Sequence, residues 1–220
     1  MFLDENTKKE VIDRFKDLVS PVKILYFTQT LDCQYCRETE QLLKEVAALS
    51  DLIELHVYNL QIDKDVAAQY QIDQVPAFVI MGEEDYGVRF FGIPSGYEFI
   101  SLLEAILHVS RRDSGLPEEA RKALAGIEQP VHLQVFVTPT CPYCPRAVMT
   151  SHQYAIENAN IRADMVEATE FPVLSQQYEV MGVPRTVVNG KYYIDGGLPE
   201  EAFRERLLGI LEAEKEAVNG

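Results

Sequence analysis

The segment Cys141-Pro-Tyr-Cys144 follows the apolar run Val131–Val137, and Cys33-Gln-Tyr-Cys36 follows a similar run, Val22–Thr28. These two CxxC pairs contain all four cysteines of the 220-residue chain. A run of apolar and β-branched residues predicts a buried strand, and we expect each CxxC to open the helix that follows. The order strand, CxxC, helix is therefore predicted twice.

The chain is an internal duplication. The leading cysteines lie 108 positions apart, and the pairs Val75-Pro76 and Val183-Pro184 are separated by the same 108 positions. Two copies of one structural unit explain this repeated spacing. We expect the units to cover residues 1–112 and 113–220, with the seam near 111–116.

Each unit is predicted to contain the same alternation of helices and strands, which favours an α/β sheet protein over a helical bundle. The predicted helices cover 5–18, 33–49, 63–70 and 95–109, then 117–126, 141–158, 171–178 and 199–216. The predicted strands cover 22–28, 52–58, 77–81 and 87–91, then 131–137, 162–168, 185–189 and 191–194. Ser114 is expected to cap the helix at 117–126.

A CxxC at the beginning of a helix is suited to disulfide exchange. Residues i and i+3 lie on one face of the first turn, close enough for their sulfurs to bond. The unpaired N–H groups and the positive end of the helix dipole favour the thiolate, which is the attacking species in exchange. We expect Cys33 and Cys141 to attack, and Cys36 and Cys144 to resolve the mixed disulfide.

The two sites differ in the residues around the leading cysteine. Pro142 is expected to hold Cys141 as a cap residue and to occupy the first helical position itself, while Arg146 adds positive charge. Asp32 precedes Cys33, and its negative charge opposes a thiolate. We therefore predict that Cys141 is the more acidic and more reactive of the two leading thiols.

The composition argues against several classes of partner. Thirty-five acidic residues against 20 basic ones give a net charge of −15, which disfavours nucleic acid and anionic membranes. The sequence contains no run of 18 apolar residues, and the first twenty residues lack the apolar stretch of a signal peptide. We expect a cytoplasmic protein that binds neither nucleic acid nor a membrane.

Together these motifs resemble the thioredoxin superfamily, in which a CxxC follows a strand and a Val-Pro-like pair precedes a later one. Cys141-Pro-Tyr-Cys144 is similar to the glutaredoxin signature. Residues 20–216 resemble the glutaredoxin-like protein disulfide oxidoreductases of thermophilic archaea and bacteria. The resemblance implies an α/β protein with two tandem thioredoxin-like folds, each a central mixed β-sheet flanked by helices.

The resemblance also implies roles for the Val-Pro pairs. In that superfamily the proline is cis and faces the active-site sulfurs, and its neighbour's backbone pairs with the substrate chain. Substrate binding is thus implied for Pro76 and Pro184, with Val75 and Val183 beside them.

The activity implied by the resemblance is thiol–disulfide exchange on protein disulfides and dithiols, within cell redox homeostasis. A thioredoxin reductase is the implied electron source. No cofactor beyond the cysteine pairs and no metal is required. Independently of the resemblance, Tyr35 and Tyr143 recur between the cysteines, and we expect them to present an apolar rim to an unfolded substrate.

The chain departs from the thioredoxin pattern at one buried position. Thioredoxins keep a buried acid about six residues before the first cysteine, and this chain has Phe27 and Val135 there. Glu167 lies in the strand beside the second site, where it is expected to be solvated rather than to assist proton transfer. The histidines have no metal spacing and are expected to be structural or surface residues: His56, His108, His132 and His152.

Other functions stay open at this point. A tandem thioredoxin-fold module of alkyl hydroperoxide reductase flavoproteins would be a dedicated electron donor to a peroxidase, although that module normally keeps a CxxC in only one copy. A non-catalytic scaffold would use the cysteines as structural disulfides or zinc ligands. Between the two pairs lie 104 residues, whereas zinc ribbons usually have about 15–20 residues between theirs.

Overall fold

The computed structural model describes the backbone of residues 2–219 and the side chains of residues 2–217. Its helices are α1 (Glu5–Phe15), α2 (Cys36–Ala47), α3 (Lys64–Gln69), α4 (Phe99–Arg111), α5 (Glu118–Ala125), α6 (Cys144–Glu157), α7 (Pro172–Gln177) and α8 (Glu200–Asn219). Its strands are β1 (Val22–Thr28), β2 (Ile53–Asn59), β3 (Ala77–Met81), β4 (Val88–Phe91), β5 (Val131–Val137), β6 (Ile161–Glu167), β7 (Arg185–Val188) and β8 (Tyr192–Asp195). A 3₁₀ turn, Gly96–Glu98, precedes α4.

Strands β1 to β8 form one mixed sheet in the order β2-β1-β3-β4-β6-β5-β7-β8. The first four strands and the last four repeat the same arrangement, as the internal duplication predicts. Within each set, two parallel strands are followed by two antiparallel pairings. The predicted α/β class and the repeated order of elements are confirmed.

The central mixed sheets predicted for the two units join into one continuous sheet. Strands β4 and β6 pair in parallel, with Val88 opposite Ala163 and Phe91 opposite Val166, so the two sheets are continuous. All four residues of β4 are buried. An unpaired β4 would expose a row of backbone N–H and C=O groups beside apolar side chains, and pairing with β6 removes that edge.

The direction of the strands places both CxxC pairs on one edge of the sheet. Strand β1 is antiparallel to β3, which is antiparallel to β4, and β4, β6 and β5 run parallel to one another. Strands β1 and β5 therefore end on the same side. Four strand spacings separate them, which corresponds to about 19 Å.

The helices that carry the second cysteines begin later than predicted. Helix α2 begins at Cys36 and α6 at Cys144, so Cys33 and Cys141 lie in the turn before each helix rather than inside it. The spacing of three residues places each leading sulfur against the first helical residue. Each leading cysteine thus remains at the N-terminal end of its helix.

Two cap predictions are wrong. Pro142 lies in the turn, and Pro145 occupies one of the first two helical positions instead, where a missing N–H removes no intrahelical bond. Ser114 does not cap α5, which begins after Pro117. The Ser114 hydroxyl instead donates a 2.6 Å hydrogen bond to Glu157 of α6.

The first and last predicted helices also shift slightly. Helix α1 ends at Phe15 rather than near residue 18, and α8 extends to Asn219 rather than 216. Within residues 2–219, no helix combines the length and apolar character needed to cross a bilayer.

The buried core continues across the seam between the halves. Phe90 of β4 stacks on Phe78 of β3 with ring centroids 4.7 Å apart. His152 of α6 packs against the same Phe90 ring at 4.8 Å, and its Nε2 bonds the carbonyl oxygen of Arg89 at 3.1 Å. A side chain of the second half therefore completes the core of the first.

His152 is expected to make stability depend on pH. Burial lowers the pKa of His152 to about 4, below the ordinary value of 6.5, so the folded state favours the neutral ring. The neutral ring contributes fully to the free energy of unfolding above pH 6.5, and this contribution is lost as the pH falls from 6.5 to 4. The loss is about 3 kcal/mol, at 1.36 kcal/mol per pH unit. Urea unfolding of the wild type and of His152→Gln at pH 7 and pH 4 measures this loss.

The difference in the free energy of unfolding between the wild type and His152→Gln isolates the effect of His152. The pKa of Glu98 and that of Glu170 are raised, so these carboxyls add stability as pH falls through the same range. They are present in both proteins and cancel in the difference. A gap between His152→Gln and the wild type that is equal at both pH values would contradict the prediction.

Candidate active site

Both CxxC pairs are closed as disulfides. Cys33 bonds Cys36 and Cys141 bonds Cys144, with a Cα–Cα distance of 5.5 Å in each pair. The strand before each pair delivers the leading cysteine to the sheet edge, and the helix after it begins at the trailing cysteine. Each site can therefore pass between a dithiol and a disulfide with its two sulfurs in contact.

In each pair the trailing cysteine is the more deeply buried. Cys36 and Cys144 are buried, while Cys33 is half-buried and Cys141 is 8 % exposed. The hydroxyl of Tyr26 in β1 donates a 2.5 Å hydrogen bond to the carbonyl oxygen of Cys36, which ties the first residue of α2 to the sheet. The leading cysteine of each pair is therefore the more accessible of the two.

The Val-Pro pairs lie beside the sulfurs. The Val75–Pro76 and Val183–Pro184 peptide bonds are cis. The carbonyl oxygen of Val183 is 3.7 Å from Cys141 Sγ. At the first site, Val75 and Pro76 line one cleft together with Cys33. The structure thus brings both predicted Val-Pro pairs to their CxxC neighbours.

The first cleft is built from both halves of the chain. It has a volume of about 500 Å³. The first half contributes the residues around the CxxC and the Val-Pro pair, and the second half contributes the segment between β6 and α7. The lining residues are Asp32, Cys33, Gln34, Tyr35, Val75, Pro76, Thr169, Glu170 and Pro172.

The two tyrosines between the cysteines differ in exposure. Tyr143 is 68 % exposed, whereas Tyr35 is half-buried and lines the first cleft. Other large apolar side chains near the sites are also exposed, namely Leu31 before the first CxxC, Val173 beside the first cleft and Met181 before the second Val-Pro pair. Large contiguous apolar patches mark protein-binding surfaces, whereas single exposed apolar side chains are common on any protein surface.

The second site is closed on one side by Gly197, the second glycine of the Gly196-Gly197 pair. A Cβ atom at Gly197 would overlap the carbonyl oxygen of Tyr143 and lie 3.2 Å from the Tyr143 Cβ. The guanidinium of Arg146 donates a hydrogen bond of 3.4 Å to the Gly197 carbonyl. Glycine is therefore required for this close approach to the CxxC turn.

We expect Gly197→Ala to slow the second site selectively. The added methyl group displaces the CxxC turn at Tyr143, and about a tenfold loss is expected because small displacements of reacting groups cost up to about 100-fold. Insulin reduction by Cys33→Ser/Cys36→Ser, with and without Gly197→Ala, measures it. Gly209→Ala, whose methyl group meets no described atom within 4 Å apart from its chain neighbours and its own helix backbone, is the matched control. Equal rates with and without Gly197→Ala would refute the prediction.

Buried carboxyl groups lie between the halves near the sites, and Glu98 is the first of them. Glu98 is 1 % exposed and accepts a 2.6 Å hydrogen bond from the Ser101 hydroxyl, and burial raises its pKa to about 7. The neighbouring Tyr97 N–H donates to the Pro139 carbonyl oxygen at 3.0 Å, two residues before Cys141. Glu98 of the first half thus lies beside the segment that leads into the second site.

Glu167 is buried, and the expectation of a solvated side chain is wrong. It is 2 % exposed and accepts hydrogen bonds from the Thr169 hydroxyl at 2.6 Å and from the Glu170 N–H at 2.8 Å. Gly92, directly after β4, approaches Glu167 so closely that a Cβ atom at Gly92 would overlap the Glu167 Cβ, because the pairing of β4 with β6 brings these two strand ends together. Glu167 thereby fixes the turn that carries Glu170.

Sequence reasoning did not identify Glu98 or Glu170 as part of either site. Both lie far in sequence from the CxxC pair that they approach, and their positions depend on how the halves join. The one local sequence feature that indicates a buried carboxyl at Glu98 is its position between two aromatic residues, Tyr97 and Phe99.

The cysteines cannot converge on a single zinc ion. Strands β3, β4 and β6 lie between the strands that carry the two pairs, whereas zinc–sulfur bonds are about 2.3 Å long. Within the part of the chain that the structure describes, no group of three or more His, Cys, Asp or Glu side chains could hold a metal ion. His132 bonds the buried Asp164 at 2.6 Å, and His152 lies in the core.

The ranking of the leading thiols stays a prediction that alkylation can test. Asp32 and Glu170 both line the cleft of Cys33, so nearby carboxyl groups disfavour a thiolate there, while Arg146 lies on the first turns of the helix after Cys141. Iodoacetamide alkylation against pH is expected to give a lower midpoint for Cys141, measured in Cys33→Ser/Cys36→Ser. A lower midpoint for Cys33 in Cys141→Ser/Cys144→Ser would reverse the ranking.

Comparisons with known proteins agree with this architecture. A family model described as a thioredoxin domain matches residues 21–104 and 131–209. A protein disulfide oxidoreductase from Aeropyrum pernix K1 has a TM-score of 0.87 and 32 % identity, and the match covers 94 % of this chain and 92 % of that one.

Alkyl hydroperoxide reductases of the AhpF type are also similar. The AhpF structure from Enterococcus faecalis has a TM-score of 0.87 and 27 % identity, covering 94 % of this chain and 100 % of that one. The alkyl hydroperoxide reductase relative from Staphylococcus epidermidis is 31 % identical over 172 residues, which is 77 % of this chain and 31 % of that protein. The chain spans about a third of the length of the curated relatives it matches.

Proposed function

The chain belongs to the thioredoxin family, and we propose that it is an enzyme that catalyses thiol–disulfide exchange on protein disulfides. The observation that carries the proposal is the pair of CxxC disulfides at helix starts on one sheet edge, each beside a cis Val-Pro bond. The likeness to a protein disulfide oxidoreductase over nearly the whole chain supports it.

The reaction starts from the reduced site. The Cys33 thiolate attacks one sulfur of a substrate disulfide, the substrate S–S bond breaks, and the departing substrate sulfur takes up a proton. Cys36 then gives up its proton and attacks Cys33 Sγ, which breaks the bond between Cys33 and the substrate and leaves the Cys33–Cys36 disulfide. The second substrate sulfur, released in this step, takes up a proton. The substrate gains two electrons and the site loses two. Cys141 and Cys144 carry the same steps at the second site.

Substrate recognition is proposed for the residues at the mouth of each site. The backbone of Val75 and of Val183 is available to pair with an extended substrate chain, and Pro76 and Pro184 shape the groove beside the sulfurs. The exposure of Tyr143 supports a role as an apolar contact for an unfolded client, and Tyr35 is proposed for the same role at the first site.

The cycle needs an external electron source or acceptor, because each turnover changes the redox state of the site. A thioredoxin reductase is the proposed source, in the cytoplasm and within cell redox homeostasis, since the resembling systems are intracellular. The proposed units are residues 1–112 and 113–220, each with its own CxxC. Both units would then bind protein substrates at the same edge of the sheet.

A second candidate is a dedicated electron donor to a peroxidase. It is favoured by the matches to alkyl hydroperoxide reductases of the AhpF type, which align with most of this chain. The two candidates use the same cysteine chemistry and differ in the breadth of substrate.

Reduction of insulin by the isolated chain separates the two candidates. With dithiothreitol as electron donor, a broad oxidoreductase accelerates insulin precipitation well above dithiothreitol alone. A narrow donor leaves insulin at the background rate and still passes electrons to a two-cysteine peroxidase. Stoichiometric zinc, together with thiols that do not exchange with a glutathione buffer, would contradict both.

A further inference from the structure

Glu170 belongs to the second half of the chain, yet it lines the cleft that contains Cys33 and Pro76. Its Oε1 accepts a 2.7 Å hydrogen bond from the backbone N–H of Ile93 in the first half. A Cβ atom at Gly92 would lie 2.9 Å from the same oxygen, so the first half leaves room for this carboxyl by having a glycine there. The carboxyl is therefore fixed against the first site.

The second carboxyl oxygen of Glu170 is buried and has no hydrogen-bond partner among the residues that the structure describes. Buried polar atoms in folded proteins are nearly always paired, and an unpaired carboxylate oxygen costs free energy. A carboxyl held in this way is a candidate for proton transfer, because its unpaired oxygen is free to accept a proton.

The groups that face Glu170 are acidic or neutral. Glu167 comes from the end of β6, Glu38 from the first turn of α2, Asp32 from the cleft wall and Tyr26 from β1. Burial raises the pKa of Glu170 to about 7, the carboxylates of Glu167 and Glu38 add to the rise, and the bond from Ile93 opposes it. The carboxyl therefore changes charge near neutral pH.

We propose that Glu170 is the general base of the first site, supplied by the second half of the chain. The proposal rests on the proposed function and names the residue that prepares Cys33 for attack. The thiol proton of Cys33 passes to the carboxylate of Glu170, which lines the same cleft. The resulting thiolate bonds one substrate sulfur, the substrate S–S bond breaks, and the departing sulfur takes the proton from Glu170.

The step conserves protons and electrons. The S–H bond of Cys33 is replaced by an S–H bond on the departing substrate sulfur. The S–S bond of the substrate is replaced by the S–S bond between Cys33 and the other substrate sulfur. Such a base is needed most at the first site, where Asp32 beside Cys33 disfavours spontaneous ionisation. The first site thus depends on the second half for its reactivity and not only for its packing.

The test uses the full chain with Cys141→Ser/Cys144→Ser, so that only the first site reacts. Pre-reduced protein is mixed with excess insulin from pH 5.5 to 9, and formation of the Cys33–Cys36 disulfide is followed by acid quenching and alkylation in a single turnover. Glu170→Gln keeps an oxygen that can accept the Ile93 N–H, while it removes the titrating proton. Glu157→Gln, a partly buried glutamate of α6 that bonds Ser114, is the matched control.

The parent rate is expected to rise with pH through an inflection near 7 and then level off. Glu170→Gln should lose this inflection, react about tenfold more slowly at pH 7.5, and approach the parent at pH 9, where Cys33 ionises without help. Glu170→Asp should restore the inflection at a reduced rate, and Glu157→Gln should follow the parent.

The outcomes separate this inference from the function on which it rests. A parent that does not reduce insulin at any pH overturns the proposed function of the first site. A parent that reduces insulin with the same pH profile as Glu170→Gln overturns the role of Glu170 alone. If Glu170→Gln does not fold, Glu170→Asp decides, because a folded Asp variant without the inflection also overturns it.

Discussion

The double variant Cys33→Ser/Cys141→Ser is expected to reduce insulin at least about 1,000-fold more slowly than the wild type, at the rate of dithiothreitol alone. A serine hydroxyl is not ionised near neutral pH and cannot form the mixed disulfide through which exchange proceeds. Steady-state insulin precipitation with dithiothreitol measures the loss.

The single variants show which site carries the activity. Cys33→Ser and Cys141→Ser each leave one intact pair, so each is expected to keep a measurable part of the wild-type rate. Cys36→Ser and Cys144→Ser keep the attacking sulfur and should trap the mixed disulfide with insulin, which non-reducing electrophoresis detects. If the double variant retained more than a tenth of the wild-type rate, neither leading cysteine would be the nucleophile.

Phe90→Ala is expected to lower the free energy of unfolding by about 3–5 kcal/mol, as large-to-small changes of buried aromatic residues do. The ring is fully buried, stacks on Phe78 and packs against His152 of the other half. Removal of the ring leaves a cavity between Phe78 of the first half and His152 of the second half. Urea unfolding followed by circular dichroism at neutral pH measures the change.

The same experiment tests whether the halves unfold together. Because β4 pairs with β6 and Phe90 contacts α6, we expect one transition for both halves in the wild type and in Phe90→Ala. Ile62→Ala, at a side chain that is 79 % exposed, is the control and should change the free energy by less than about 0.5 kcal/mol. A loss below about 1 kcal/mol in Phe90→Ala would show that the seam does not share one core.

Much of the architecture could be predicted from the repeated spacing in the sequence. The CxxC pairs and the Val-Pro pairs both recur at an interval of 108 positions, which predicted two copies of one unit, and the structure places Val75 and Val183 beside the CxxC pairs. Apolar runs such as Val22–Thr28 and Val131–Val137 predicted strands whose bounds the structure reproduces. These features are local or repeat at a fixed interval, so one sequence reveals them.

The features that could not be predicted depend on how the two halves meet. Pairing of β4 with β6 joins the sheets, and neither strand has a sequence pattern that specifies the other. Burial of Glu167 follows from this joint, and so does the approach of Glu170 to the cleft of Cys33. Periodicity within one unit contains no information on contacts that the other unit makes.

The shared edge of the sheet has a consequence for substrates. The strands that lead to the two sites are about 19 Å apart, given four strand spacings, so the sulfurs of one site cannot attack those of the other without a large movement. Both sites lie at the same edge of the sheet. The two pairs are therefore expected to act on substrates independently, which the additive rates of the single variants would show.

The redox equilibrium of each site decides whether its cysteine pair exchanges between dithiol and disulfide. Cys33→Ser/Cys36→Ser and Cys141→Ser/Cys144→Ser are equilibrated with mixtures of reduced and oxidised glutathione, quenched with acid, and their free thiols are counted by alkylation and mass spectrometry. We expect each variant to gain two thiols in one two-electron transition as the mixture becomes more reducing. If neither remaining pair opened and closed across these mixtures, the pairs would be structural, and the assignment of an exchange enzyme would be wrong.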